Sequence, residues 1–387
     1  MRNRWSILAL LFSIRVTMAF QFQAVAALSP FLIQSYGIGF AEIGFLIGLY
    51  LSPGIVIALP GGAIGRWFGD KRAVAFGMVL MLAGGLMIAL LPVWEAQIAG
   101  RLIAGTGGVI LNVLMSKMIT DWFRDADLAT AMGIFVNSWP VGIAAALLVL
   151  PPIAEHSGLP VTLGFINASI LLGLLLLLAL YRDADQTDPA PVTAQSGIGG
   201  RAITGLLAAG FIWGLYNAAL AMVFSFGPAM LAERGTDATA ASFTTSLTLW
   251  MVAISVPLGG YLADRLGQRD LVLAAGLIAF CALMFYAPRS DLVVPVFIAL
   301  GLVAGLSAGP IMSLPADVLA PKARAVGMGL FFALYYLSIF LAPLVAGRFA
   351  DVIGTAAITF SFGGSLLLIC VGLHGLFLAV ASRTQPS

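Results

Sequence analysis

Long apolar runs follow one another along almost the whole chain, and polar residues collect in the short intervals between them instead of alternating within them. Runs at 6–34, 41–64, 73–93, 98–119, 128–151 and 159–181, then at 202–231, 239–262, 271–287, 293–316, 325–347 and 355–381, predict helices. Most approach the ~20 apolar residues that a helix needs to cross a bilayer. Membrane-spanning barrel strands would read as segments of about ten residues with alternating polarity, and lipid admits only these two architectures because every backbone polar group must be paired internally. The first run follows Arg2 and Arg4 but far exceeds the ~7–15 apolar residues of a signal-peptide core, so it is expected to stay in the mature chain. The expected fold class is all-α and integral to the membrane, with 12 transmembrane helices.

Composition agrees. Hydrophobic residues make up 61% of the chain and charged residues 9%, with a mean hydropathy of +1.05. A soluble domain would carry about a quarter charged residues. The net charge of +2 is spread over short loops, so lipid is the expected partner and nucleic acid is not. Cys281 and Cys370 fall in different predicted spans and indicate no disulfide framework. No cofactor or metal site is expected.

Sidedness is written in the cations. With the N-terminus in the cytoplasm, 14 Lys and Arg residues fall on the inside and 3 (Arg234, Arg289 and Arg348) on the outside. That bias predicts two cytoplasmic termini and an even number of spans in the cytoplasmic, or inner, membrane.

The stretch from Arg182 to Arg201 is the one polar linker, and it divides the chain into a six-helix bundle at 1–181, a cytoplasmic linker at 182–201 and a second bundle at 202–387. The halves match by position. An offset of 198 carries Ser29-Pro30 onto Gly227-Pro228 and the loop 62–72 onto 260–270, while an offset of 196 carries Asp121 and Met132-Gly133 onto Asp317 and Met328-Gly329. Two pseudo-symmetric bundles of this kind are how many secondary transporters are built, with the site at their interface.

The second loop, Gly260 to Arg269, reads G-x-x-x-D-R-x-G-x-R and resembles the signature loop of the major facilitator superfamily. Arg101 to Gly108 resembles that superfamily's fourth-span motif, R-x-x-x-G-x-G. The resemblance implies gating by loop charges, here Arg66, Asp70, Asp264, Arg265 and Arg269. It also implies that the loop acid docks on the start of a helix in the other half, where exposed amides and the helix dipole favour a carboxylate. The first copy departs from the pattern, with Arg66 and Trp67 where the family has Asp-Arg, so Asp264 is expected to carry this role against residues 128–131.

Carboxylates are missing from the span interiors. His156 is expected in an external loop and His374 at a packed or lipid-facing position in the last span. Arg15, by contrast, lies roughly 15 Å along the first helix from Trp5, close to the bilayer centre. A lone arginine there costs at least about 2.5 to 3.5 kcal/mol unless it meets protein or water. It is expected to anchor an anion through its fork of donors, the alternative being hydrogen bonds to the carbonyls of a neighbouring helix. Arg101 has a steering or a structural role open to it. Completing the expected substrate site are Gln23, Asn112 and Asn137 from the first half and Trp213, Tyr216, Asn217, Tyr335 and Tyr336 from the second, with Trp213 opposite Arg15 at the repeat offset. Gly301, Gly305, Gly309 and Pro310 form a small-residue stripe for close helix packing.

The function expected from these residues is secondary transport of a small anion by alternating access, with anion exchange favoured over proton coupling for want of a buried carboxylate. Ser13-Ile14-Arg15-Val16 is loosely similar to the arginine-bearing first span of the cyanate permease branch, and the chain is broadly similar to nitrate and organic-anion carriers, although Val16 replaces that branch's usual proline. The alternative is a proton-driven multidrug or other small-molecule exporter of the same superfamily, whose span-5 motif is only loosely matched by 133–142. An intramembrane enzyme is disfavoured by the lack of convergent His, Cys and acidic groups. A monomer suffices, since the pathway runs between two halves of one chain.

Overall fold

The computed structural model describes residues 3–57, 69–123, 127–182, 200–319 and 323–381. Among these the regular structure is helical, without strands. The crossing helices are span 1 (Arg4–Ala27), span 2 (Phe40–Leu51, continued by Gly54–Ile57), span 3 (Asp70–Leu90) and span 4 (Trp94–Trp122). Leu128–Val136 opens span 5, and Ser138–Leu180 carries the rest of span 5 together with span 6. The second half contributes span 7 (Gly200–Glu233), span 8 (Ala238–Leu266), span 9 (Arg269–Tyr286), span 10 (Val293–Ser313), span 11 (Arg324–Ile353) and span 12 (Ala357–Ala381). Ser138–Leu180 has 43 residues, about 65 Å at 1.5 Å each and too long for one crossing. At Gly158 its backbone leaves the helical region (φ 81°, ψ 166°), which separates two crossings and brings the total among the described residues to twelve.

Backbone geometry carries the repeat. Gly37 and Gly235 have φ of 64° and 86°, Gly69 and Gly267 have 78° and 63°, and Gly158 and Gly354 have 81° and 83°. The first two pairs lie 198 residues apart and the third 196 apart, the offsets read from the motifs. These left-handed positions favour glycine because it lacks a Cβ, so both halves turn at matched points.

Prolines shape the spans by removing N–H donors and freeing the carbonyl four residues earlier. Pro30 ends span 1 at Ala27, and the freed carbonyl of Ala26 accepts the Ser29 hydroxyl at 2.9 Å. The single run expected at 6–34 is therefore two helices, Arg4–Ala27 and Ser29–Tyr36. Its repeat mate Pro228 leaves span 7 unbroken, and the freed carbonyl of Phe224 accepts Gln23 Nε2 from the other half at 2.7 Å.

The halves meet on the side away from the termini. Asp351 at the end of span 11 accepts from the amides of Phe40 and Ala41 at the start of span 2, and Thr239 at the start of span 8 donates to Glu155. Glycines bring spans 2 and 11 into backbone contact: a Cβ on Gly44 would lie 2.0 Å from the Pro343 carbonyl oxygen, and one on Gly48 2.3 Å from that of Phe340. The deepest junctions are Gly54 on the Tyr336 ring and Asn112 Nδ2 donating to the Tyr336 hydroxyl at 3.4 Å. On the terminal side, below that level, no hydrogen bond or ion pair joins the halves among the described residues. Large apolar side chains such as Leu90, Leu172 and Val352 stay exposed around the perimeter, as expected of a surface bathed in lipid.

Candidate functional site

Arg15 is buried at the level where the halves part, held by one face of its guanidinium. Nε donates to Asn112 Oδ1 at 3.0 Å, and Nη1 donates to the carbonyls of Phe135 and Val136 at 3.0 and 3.4 Å and to the Ser138 hydroxyl at 3.3 Å. The Phe135 ring lies 4.7 Å from the guanidinium carbon, within cation–π range. This acceptor nest has a local cause. Pro140 has no N–H for the Val136 carbonyl, the helix breaks at Asn137, and the exposed end of Leu128–Val136 points at span 1. Nη2 has no hydrogen-bond partner among the described residues, and it is not among the sealed, unpaired polar atoms either. The carbonyl-bonded alternative is thus realised at Nη1 while Nη2 remains available.

The second half supplies an aromatic wall. Tyr336 accepts from Asn112, the residue that holds Arg15 Nε, and its ring meets Tyr335 edge to face at 5.0 Å. Behind Tyr335, Trp213 lies 6.2 Å away and stacks on Phe331 and Tyr216 at interplanar angles of 18° and 24°. Trp213 Nε1 is a buried donor with no acceptor among the described residues. Asn217 Nδ2 is taken by the Trp213 carbonyl at 2.8 Å, and Asn137, half-buried at the break in span 5, has no side-chain bond to any described residue. A site with an open cationic donor on one wall, stacked rings on the other and amides between can hold a small solute carrying negative charge and a flat face.

Three expected members spend donors on backbone carbonyls of the protein. Arg101 is 2% exposed and spends Nε, Nη1 and Nη2 on the carbonyls of Leu46, Gln21 and Phe22 at 3.1, 3.0 and 3.1 Å, with the Tyr50 ring 4.6 Å away. It clamps spans 1, 2 and 4 together through these three bonds. Gln23 is fully buried in the span 1–span 7 joint, and Tyr216 donates its hydroxyl to the Ala304 carbonyl at 2.7 Å. Both are framework. Ser138, Phe135 and Phe331 belong to the site and were not foreseen. Pro140 was the available signal, since a proline inside a span exposes a carbonyl that a buried cation can fill.

The expected gating charges divide by half. Asp70 and Asp121 both accept from Lys117, the latter at 3.0 Å. Arg269 plays the same part in the second half, donating to Asp270 at 3.1 Å and Asp317 at 2.7 Å. The bridging cation has moved from span 4 to the start of span 9. His374 is 4% exposed and donates from Nε2 to Asp270 at 3.2 Å, which places it in this cluster and not at the lipid edge. Arg265 donates to the Tyr261 hydroxyl at 2.9 Å, its one side-chain bond among the described residues. Asp264 is exposed and makes no bond to a described residue, so it does not meet residues 128–131 in this conformation; Arg4 pairs instead with Asp127 there, at 2.6 Å. Arg66 lies outside the described residues.

Comparison with known proteins places this geometry. The first curated relatives match over only part of their length: an inner membrane transport protein of Escherichia coli strain K12 is 27% identical over 41% of this chain and 34% of its own. The rice protein named "Probable anion transporter 3, chloroplastic" (Oryza sativa subsp. japonica) is 27% identical over 33% of this chain and 25% of its own. A 2-nitroimidazole transporter of Escherichia coli strain K12 is 23% identical over 97% of this chain and 95% of its own. Among solved structures, a bacterial homologue of the human lysosomal transporter Spinster, in an inward-facing and unoccupied conformation, superposes with a TM-score of 0.77 at 15% identity, covering 99% of this chain and 98% of that one. The family model described as Major Facilitator Superfamily matches residues 11–227 and again 202–387. Spanning both halves, that match establishes that the chain belongs to the Major Facilitator Superfamily and, with its long apolar helices, is a multi-pass membrane protein.

Proposed function

We propose that this transporter moves a small anion, an inorganic oxyanion, a cyanate-like ion or a small carboxylate, by alternating access between two six-helix bundles. The observation that carries the reading is Arg15: its Nε and Nη1 are fixed by Asn112 and the broken end of span 5, while Nη2 stays open at the level where the halves part. A guanidinium immobilised in this way has already given up the freedom that binding would otherwise cost. The anion transporter named among the relatives supports the same class. With both termini in the cytoplasm, as the cation bias indicates, the contacts of Asp351 and Glu155 between the halves lie on the outer side. Exchange of one anion for another fits spans whose carboxylates, among the described residues, sit at helix ends and not midway along them, and a monomer contains the whole pathway.

A second reading takes its support from the stacked Trp213, Phe331 and Tyr335, which suit a flat, weakly charged solute of the kind named for the full-length relative. Counterflow into proteoliposomes of nitrate, nitrite, cyanate and small mono- and dicarboxylates, alongside a neutral nitroimidazole, separates the two. Anion flux lost in Arg15→Gln supports the first; nitroimidazole flux indifferent to Arg15→Gln but lost in Trp213→Leu supports the second.

A further inference from the structure

The contacts on the side away from the termini include two acids related by the repeat. Asp351 at the end of span 11 and Glu155 at the end of span 5 lie 196 residues apart, and their partners Ala41 and Thr239, at the starts of spans 2 and 8, lie 198 apart. Each acid therefore reaches from its own half to the beginning of a helix in the other. The two contacts differ in strength. Asp351 is half-buried and bidentate, with Oδ1 accepting from the Phe40 amide at 2.7 Å and Oδ2 from the Ala41 amide at 2.9 Å. Those donors have no partner within their own helix, and a carboxylate at a helix start is also favoured by the dipole. Gly39 makes room for it, since a Cβ there would lie 2.7 Å from Asp351 Oδ1. Glu155 is exposed and receives only the Thr239 hydroxyl, at 2.9 Å, because Asp237 already caps span 8 by accepting from the Ala240 amide.

We propose that Asp351 is the latch that holds the far side of the transporter shut, and that Glu155 is its weaker pseudo-symmetric counterpart. The proposal rests on the alternating-access reading and is independent of which solute is carried. Opening the far side strips two charge-assisted hydrogen bonds from Asp351 and leaves the first amides of span 2 to water, whereas the mirror-related junction forfeits one bond to a hydroxyl. The energetic bias between the two conformations is therefore concentrated at one end of the span 2–span 11 seam, where Gly44 and Gly48 already set the backbones in contact.

The test is a distance measurement by double electron–electron resonance on the full-length protein in lipid nanodiscs, without solute, with spin labels on Ser35→Cys and Ile353→Cys. Both positions are exposed on the far side of opposite halves, and the native Cys281 and Cys370 are buried at 6% and 0% exposure. Asp351→Asn is expected to raise the ratio of separated to closed populations by roughly tenfold or more. Gly39→Ala, which keeps the charge but displaces the carboxylate, is expected to shift it the same way, while Asp351→Glu retains most of the closed population and Glu155→Gln changes the ratio by less than about threefold. If Asp351→Asn and Gly39→Ala both keep the parent distribution, or if Glu155→Gln opens the molecule as far as Asp351→Asn, the latch is wrongly assigned. A parent protein that carries no anion but still opens on Asp351→Asn would sink the anion reading and leave the latch standing.

Discussion

Arg15 Nε and Asn112 Oδ1 are 3.0 Å apart, and the Nδ2 of the same asparagine reaches the Tyr336 hydroxyl of the other half at 3.4 Å. One amide thus links the buried cation to the opposite bundle. Arg15→Gln is expected to cut anion flux by about a hundredfold, and Arg15→Lys, which keeps the charge but loses the fork, by roughly tenfold. Counterflow in proteoliposomes, normalised to protein inserted, measures both; flux at parental rate and affinity in Arg15→Gln would remove the anchor assignment.

Pro140 makes the nest for Arg15 by withholding an N–H from Val136. Pro140→Ala restores that donor, lets the helix run through Asn137, and releases Nη1 from its acceptors. The expected result is a rise in KM of roughly five- to tenfold with a smaller change in maximal rate, read from concentration dependence of uptake. An unchanged KM would show that the break does not position the cation.

Arg101 is expected to behave in the opposite way. Arg101→Met leaves three carbonyls without their buried donor and empties a site under Tyr50, lowering the unfolding midpoint by more than ~5 °C. Fluorescence-detected thermal denaturation in detergent reads that loss, while KM of the folded fraction stays within about twofold of the parent. A raised KM at unchanged stability would return Arg101 to the binding site.

Gly48 tolerates no side chain, because a Cβ would lie 2.3 Å from the Phe340 carbonyl oxygen and backbone cannot yield as a flexible side chain can. Gly48→Ala is expected to hold spans 2 and 11 apart. A cysteine placed at fully buried position 23 should then react with a membrane-impermeant maleimide from the far side at least about fivefold faster than in the parent.

Trp213 presents a buried Nε1 with no described acceptor and a ring stacked between Tyr216 and Phe331. Trp213→Phe keeps the stack and removes the donor, whereas Trp213→Leu removes both. If solute accepts from Nε1, both variants weaken binding by about tenfold; if the wall acts by stacking alone, only Trp213→Leu does.

Much of the architecture could be read from the chain because lipid enforces it: the lengths of the apolar runs answer to a solvent that pairs no backbone group, and the offsets between the motifs recur in the glycine turns. Arg15 was legible for the same reason, a charge where charge is costly. Arg101 was harder. From sequence it differs from Arg15 only in depth, and its role depends on which carbonyls of spans 1 and 2 turn toward it. Gln23 and Tyr216 each give a donor to a backbone carbonyl of a neighbouring helix, and nothing along the chain tells which carbonyl a polar side chain inside a span will meet. The His374–Asp270 contact joins spans 9 and 12, a pairing that short-range patterning does not contain.

The glycine turns at 37 and 235, 69 and 267, and 158 and 354 recur in both halves, whereas Arg15 faces Trp213 across the same register. Joints are duplicated and reactive groups are not. A transporter put together in this fashion can exchange its cargo preference by altering a few inward-facing positions in either copy without retuning the machinery that moves them. Its nearest functional cousins should therefore be recognised by what stands at positions 15, 112, 138 and 213 more than by overall likeness of sequence.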